Sequence, residues 1–432
     1  GLAVFFSLSL SGASGEGVTA SSEKNYAATW ESLAQWKTPQ WFEDAVFGIY
    51  WHWGPYSVAG FGYSCWYGSS MYYPNEGRDY RGGDCYKHHV ETWGDPFTEF
   101  GYKDFIPLLT AAKWKPNEWA ALFKEIGADF AGPCAEHHDS FAMWDSKVTM
   151  WNSMAMGPHR DIVGDIAKAL KARDLRFIVT FHNNGCNNWN YFNGAREGCP
   201  PGVEANNPDY FGLYGEPHDS PGARHRMCLK FYLKAMEVID KYEPQMIWLE
   251  GCMDNEIISD YMPKLMAYYF NKNEKAGRGV VVTHKGKELP LECSPLDYEG
   301  GGSKGPDRLR WQTDMPLPGC SWAYEYTIKM TPEEVEKNAD RLVDDIVDRT
   351  SKNGVTLISI GPRADGTIPE YQVEMLRKLG RWMKVNREAL HGAKPAPFEE
   401  GGVDTWKAGT IRFTEKGDFL YAIELASLKA GE

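Results

Sequence analysis

The 432 residues contain nine cysteines but no CxxC pair, so the usual zinc-ribbon spacings are excluded. No glycine-rich phosphate turn leads from a predicted strand into a predicted helix, which removes the commonest signal for a bound nucleotide. No stretch is long and apolar enough to span a bilayer, and no Asn-x-Ser/Thr acceptor for N-glycosylation occurs. Positive charge is scarce: 46 Lys and Arg stand against 59 Asp and Glu, a net charge of -13 at pH 7. That balance argues against nucleic acid or an anionic membrane as partner. It also fits an acidic polysaccharide poorly unless basic residues cluster locally.

Aromatic residues are plentiful, with 17 Trp, 23 Tyr and 20 Phe. They can serve apolar packing, and they also suit the flat C–H faces of sugar rings. The length allows one large domain and part of another. Leu2–Leu10 is apolar and is followed by SGASG, like the end of a signal peptide and its cleavage zone; a buried strand is the alternative. Cys186 with Cys199, and Cys65 with Cys85, flank loop-like stretches and are candidates for disulfides.

Phe130–Trp151 organises the rest. It opens as an apolar run bounded by Gly and Pro, then turns into Glu136, His137, His138 and Asp139. Such a run reads as a buried parallel strand with chemistry at its C-terminal end. His137 and His138 point to opposite faces if the strand continues, so they are not expected to share one metal ion. The motif repeats along the chain: FGIYWHW (47–53), RFIVTFH (176–182), MIWLEG (246–251), VVVTH (280–284) and TLISIG (356–361) read as strands. Shorter candidates lie near 296–299 and 310–313. Helices are predicted over 116–128, 161–174, 226–242, 257–270, 331–352 and 370–390. Thr331, Pro332 and Glu334 supply a capping box. The stretches 56–84 and 183–224 read as long loops. The alternation predicts an α/β fold, a (β/α)8-like (TIM-type) barrel, rather than a doubly wound sheet. TIRF (410–413) and FLYAIE (419–424) read as a hairpin, the start of a C-terminal β-sandwich. The boundaries are a leader at 1–20, the barrel at 21–395 and the sandwich from 396 to 432.

HWGPYS (52–57), WYGSSMY (66–72), EHHDSF (136–141), MGPHRD (156–161) and IGPRADGTIP (360–369) together resemble α-L-fucosidases of glycoside hydrolase family 29, in the same order along most of 41–395. The resemblance implies a secreted, periplasmic or lysosome-like glycosidase without cofactor or metal. It would remove terminal α-L-fucose from glycans with retention of configuration, and its oligomeric state stays open. Retention needs a nucleophile and an acid/base, both carboxyl groups. The family's nucleophilic Asp in W-x-D-G corresponds to Glu250 in Trp248-Leu249-Glu250-Gly251. For the acid/base the resemblance points to Glu299, with Glu292 and Asp314 as fallbacks, while Gln312 stands where some relatives carry Glu. Sugar contacts are implied for His52, Trp66, His137, His138, His182, Trp248 and Trp322. The chain departs from the family at Cys65, commonly Glu, at His182, a family tyrosine, and at Glu136, a family lysine. These departures motivate an alternative: a catalytically impaired, carbohydrate-binding or structural protein on the same scaffold.

Overall fold

In a computed structural model of the protein, residues 4–7, 25–74, 84–182, 191–396 and 411–425 are described. Strand β1 (Val4–Ser7) lies within the run read as a leader or a strand and pairs outside the barrel. Eight further strands close a parallel barrel in chain order: β2 (Phe47–Trp51), β3 (Phe130–Glu136), β4 (Arg176–Phe181), β5 (Met246–Leu249), β6 (Val281–Lys285), β7 (Leu296–Asp297), β8 (Trp311–Pro316) and β9 (Gly354–Ile360), which returns to β2. The expected TIM-type barrel is present. Nearly every strand residue is buried because opposing strands cover the inner face and helices the outer one.

The crossover helices are α1 (Pro116–Glu125), α2 (Ile162–Lys171), α3 (Ala223–Tyr242), α4 (Met262–Lys275), α5 (Pro332–Thr350) and α6 (Glu370–Asn386). α1 starts with Pro in its first turn and buries Trp119, Ala120, Leu122 and Phe123. Trp51 of β2 packs on this face, 5.3 Å from the Trp119 ring and 5.7 Å from Phe123. α5 opens with the predicted box: Glu334 N donates to Thr331 Oγ1, and Thr331 N donates to a Glu334 carboxylate oxygen. The loops expected at 56–84 and 183–224 contain short helical turns, among them Tyr67–Ser70 and Asn193–Gly198.

β3 and β4 approach unusually closely. A Cβ on Gly132 would lie 1.7 Å from the Ile178 carbonyl oxygen, so the packing admits glycine alone. The register shifts between Cys134 and Glu136, and this bulge re-aims the chain just before His137.

The C-terminal hairpin, β11 (Ile411–Lys416) and β12 (Phe419–Glu424), joins β10 (Lys394–Pro395) on one side and β1 on the other in an antiparallel sheet. It is tied to the barrel by the 2.6 Å Arg412–Asp348 ion pair onto α5. Five tryptophans serve the core: Trp51, Trp53, Trp144, Trp248 and Trp311 are fully buried. Neither disulfide considered from the sequence forms. Cys65, Cys85 and Cys199 are in no disulfide, Cys186 lies outside the described residues, and Cys252 is disulfide-bonded. No helix among the described residues is long and apolar enough to cross a membrane.

Candidate active site

A cavity of about 540 Å³ opens where the barrel strands end. His52, Trp66, His137, His138, His182, Glu250, Glu299 and Trp322 all line it, so the structure brings together eight of the nine residues singled out above. His52, His137, His182 and Glu250 are each the first residue past a strand, where a side chain can face the barrel mouth without interrupting the ladder, and His138, Trp66, Glu299 and Trp322 come from the loops that follow. Trp248 is the exception. It stands two residues before Glu250 on the same face of β5, one layer deeper at roughly 3.3 Å per residue. Its indole donates to Asp297 Oδ2 at 2.9 Å, and its ring backs His182 at 4.8 Å.

The histidines are buried and held from behind. His52 Nδ1 meets Ser359 Oγ at 2.9 Å, and His182 Nδ1 meets Cys134 Sγ at 3.2 Å. Burial, then Lys285, lowers the His52 pKa to about 3; burial, then the neighbouring histidines, puts His182 well below its ordinary value. Both rings are therefore neutral at physiological pH and can exchange hydrogen bonds with sugar hydroxyls. Trp66 lies against His138 with ring centroids 5.0 Å apart. One ring nitrogen each of His52, His137 and His182 lie within 4.8 Å of one another. That trio could hold a transition metal, and His138 is outside it, in keeping with the divergence expected for adjacent residues.

Glu250 is 7% exposed. Its Oε1 lies 2.7 Å from Lys285 Nζ and its Oε2 3.6 Å from His182 Nε2. Burial raises its pKa, and the Lys285 ammonium opposes that rise. Lys285 also reaches Glu299 Oε2 at 2.9 Å. One ammonium thus binds both carboxylates, and the two contact lengths cap the separation of these oxygens at about 5.6 Å. Burial alone lowers the Lys285 pKa, but Glu250, Asp314 and Glu299 outweigh it and hold the group firmly protonated. Glu299 is 45% exposed, at the mouth, whereas Glu250 is at the base.

Asp314 also lines the cavity. Tyr50 Oη donates to its Oδ2 at 3.0 Å, and burial followed by the charge of Asp297 pushes its pKa well above the carboxylate range. Glu292 is exposed and outside the cavity, and Gln312 is buried, donating to Asp297 Oδ2 at 2.5 Å. Lys285 is the functional residue that sequence reasoning missed. Its signal was a lone cation ending an apolar strand, one residue beyond the histidine that drew attention. His284 instead points away from the mouth and binds Ser294 Oγ at 2.8 Å. Glu136 faces the opposite way from His137 and forms a fully buried 2.5 Å ion pair with Lys234 of α3.

The α-L-fucosidase family model matches residues 15–388. The chain is 27% identical over 416 residues to human tissue α-L-fucosidase, covering 93% of this chain and 78% of that protein. It is 29% identical to human plasma α-L-fucosidase over 382 residues, covering 86% and 73% of the two chains. Among solved structures it resembles Thermotoga maritima α-fucosidase with a TM-score of 0.71 and 29% identity, over 92% of this chain and 85% of that one. With the barrel and its carboxylate-lined mouth in place, a match across this much of the chain settles its kinship: the protein belongs to the α-L-fucosidase family.

Proposed function

We propose that the protein is a retaining exo-acting α-L-fucosidase, removing terminal α-L-fucose or a related deoxysugar from glycans by double displacement. The observation that carries this is the pair Glu250 and Glu299, held on one ammonium with oxygens no more than about 5.6 Å apart. Retaining glycosidases place their two carboxyl groups roughly 5–5.5 Å apart, whereas inverting ones leave room for a water.

Glu250 attacks the anomeric carbon, since it lies deeper and Lys285 favours its ionised form. Glu299, at the mouth, faces the leaving group; it gives a proton to the departing oxygen and later takes one from water. His52, His137, His138 and His182 offer hydrogen bonds to the hydroxyls, and Trp66 and Trp322 offer apolar ring faces. Glu250 is one methylene longer than the family's Asp, and His182 is shorter than the family's Tyr. Their 3.6 Å contact is a size exchange that keeps the attacking oxygen near its place. A secreted or lysosome-like location fits relatives named as tissue and plasma enzymes, and Cys252 in a disulfide suits an oxidising compartment.

The test is hydrolysis of an aryl α-L-fucoside by the wild type, Glu250→Gln and Glu299→Gln, with the first-formed anomer read by NMR. Turnover with the α-anomer first, lost in Glu250→Gln, is expected. No turnover by the folded wild type, or the β-anomer first, overturns the proposal.

A further inference from the structure

A second cavity, about 310 Å³, lies between α3 and the connection that precedes it, and shares no lining residue with the first. Four cations line it: Arg196, Arg226, Lys230 and Lys234. Two of them have counter-charges. Arg226 grips Glu216 through Nε at 2.9 Å and through Nη2, and Lys234 is bound to Glu136.

The other two do not. Arg196 donates to the Tyr214 carbonyl and, at 3.3 Å, to Asn193 Oδ1, and its Nε is buried without a hydrogen-bond partner. Lys230 Nζ donates to the Gly212 carbonyl at 2.7 Å. Neither has a carboxylate within 4 Å among the described residues, although Glu136 and Glu216 attract Lys230 from farther off. Burial lowers the Arg196 pKa to about 10; burial, then Lys234, lowers Lys230 to about 7. Two partly desolvated cations facing one cavity are costly to the fold unless an anion joins them. Four basic side chains around one cavity, in a chain of net charge -13, are also the basic clustering that the composition alone left open. Phe211, Met227 and Phe231 supply apolar walls that would strengthen a charge-assisted bond.

We propose that this cavity binds a small oxyanion, a sulfate, phosphate or carboxylate group, between Arg196 and Lys230. Its inner wall reaches the sugar site through Lys234 and Glu136, the residue before His137. The absence of a shared wall with the sugar cavity favours a free anion over a charged substituent on the bound glycan.

The experiment is calorimetric titration of the full chain with sodium sulfate and with phosphate, alongside thermal unfolding. Saturable binding is expected, weakened at least tenfold by Lys230→Met and by Arg196→Gln, with Lys285→Met, in the other cavity, binding as wild type does. Sulfate should raise the wild-type Tm. Lys230→Met, relieved of an uncompensated charge, should be the more stable protein without sulfate and insensitive to it. No saturable binding, or binding lost in Lys285→Met but kept in Lys230→Met, overturns the proposal. Binding of a sulfated fucoside but not of inorganic sulfate would also overturn the free-anion reading.

Discussion

Replacing Lys285 by Met should move the acid limb of the pH–rate profile of fucoside hydrolysis upward. In the wild type the Lys285 ammonium sits 2.7 Å from Glu250 and 2.9 Å from Glu299. Burial already raises the Glu250 pKa, and Lys285 is the leading group that pulls it back. A charge-assisted hydrogen bond contributes about 1.5–3 kcal/mol. At about 1.4 kcal/mol per factor of ten, its loss disfavours ionised Glu250 by roughly 10- to 100-fold and raises its pKa further. The nucleophile works only when ionised, so activity below the raised pKa is lost. The acid limb of kcat/KM should therefore shift up, with a loss of about 10- to 100-fold on that limb that narrows as pH rises. The assay is kcat/KM against pH with an aryl α-L-fucoside. A uniform fall in rate with the acid limb unmoved would refute the reasoning and leave Lys285 as a packing or sugar-contact residue.

Glu299→Gln should slow fucosides with poor leaving groups by about 10²–10⁴-fold and activated aryl fucosides much less, because only the former need the proton; equal losses across a leaving-group series would count against an acid role. Lys234→Met strands the buried Glu136 charge and should cost about 3–5 kcal/mol in urea unfolding, most of it restored by adding Glu136→Met, since replacing both members of a buried pair is far less costly. Asp129 carries a pH prediction. Burial pushes its pKa up, but His391, Arg387 and the Val46 amide outweigh that and hold it below the ordinary value. Its folded pKa being depressed, it contributes stability above the unfolded pKa of about 3.9 that is lost as pH falls. Asp129→Asn should thus lower the urea midpoint at pH 7, and the gap to wild type should close on acidification below about pH 4.

Much of this architecture can be read from the residues because a parallel barrel writes itself as apolar runs ending in polar side chains. His52, His182 and Glu250 are each the first polar residue past such a run, and each faces the mouth. Even β7, only two residues long, falls inside the short candidate at 296–299. Residues drop out of view where that rule weakens. At the end of β6 the eye stops at His284, whereas strand alternation turns His284 outward and Lys285 inward. Trp248 is on the correct face but one layer too deep. The cysteine pairs failed because closeness in sequence across a loop says nothing about approach in space: Cys85 begins a helix and its thiol turns to the Gly62 carbonyl at 3.5 Å. The second cavity was invisible for the same reason, since Arg196 is far along the chain from Lys230 and only the packing of α3 brings them together.

The claim on which the account rests is that Glu250, on its longer side chain, is the nucleophile. Incubation with a fluorine-substituted fucosyl fluoride, which forms the glycosyl–enzyme quickly and releases it slowly, followed by peptide mass spectrometry, reads this directly. The account predicts one added deoxyfluorofucosyl group, on the peptide containing Trp248-Leu249-Glu250-Gly251, absent in Glu250→Gln. A label on another carboxylate, or no label on an enzyme that turns over fucoside, would contradict it.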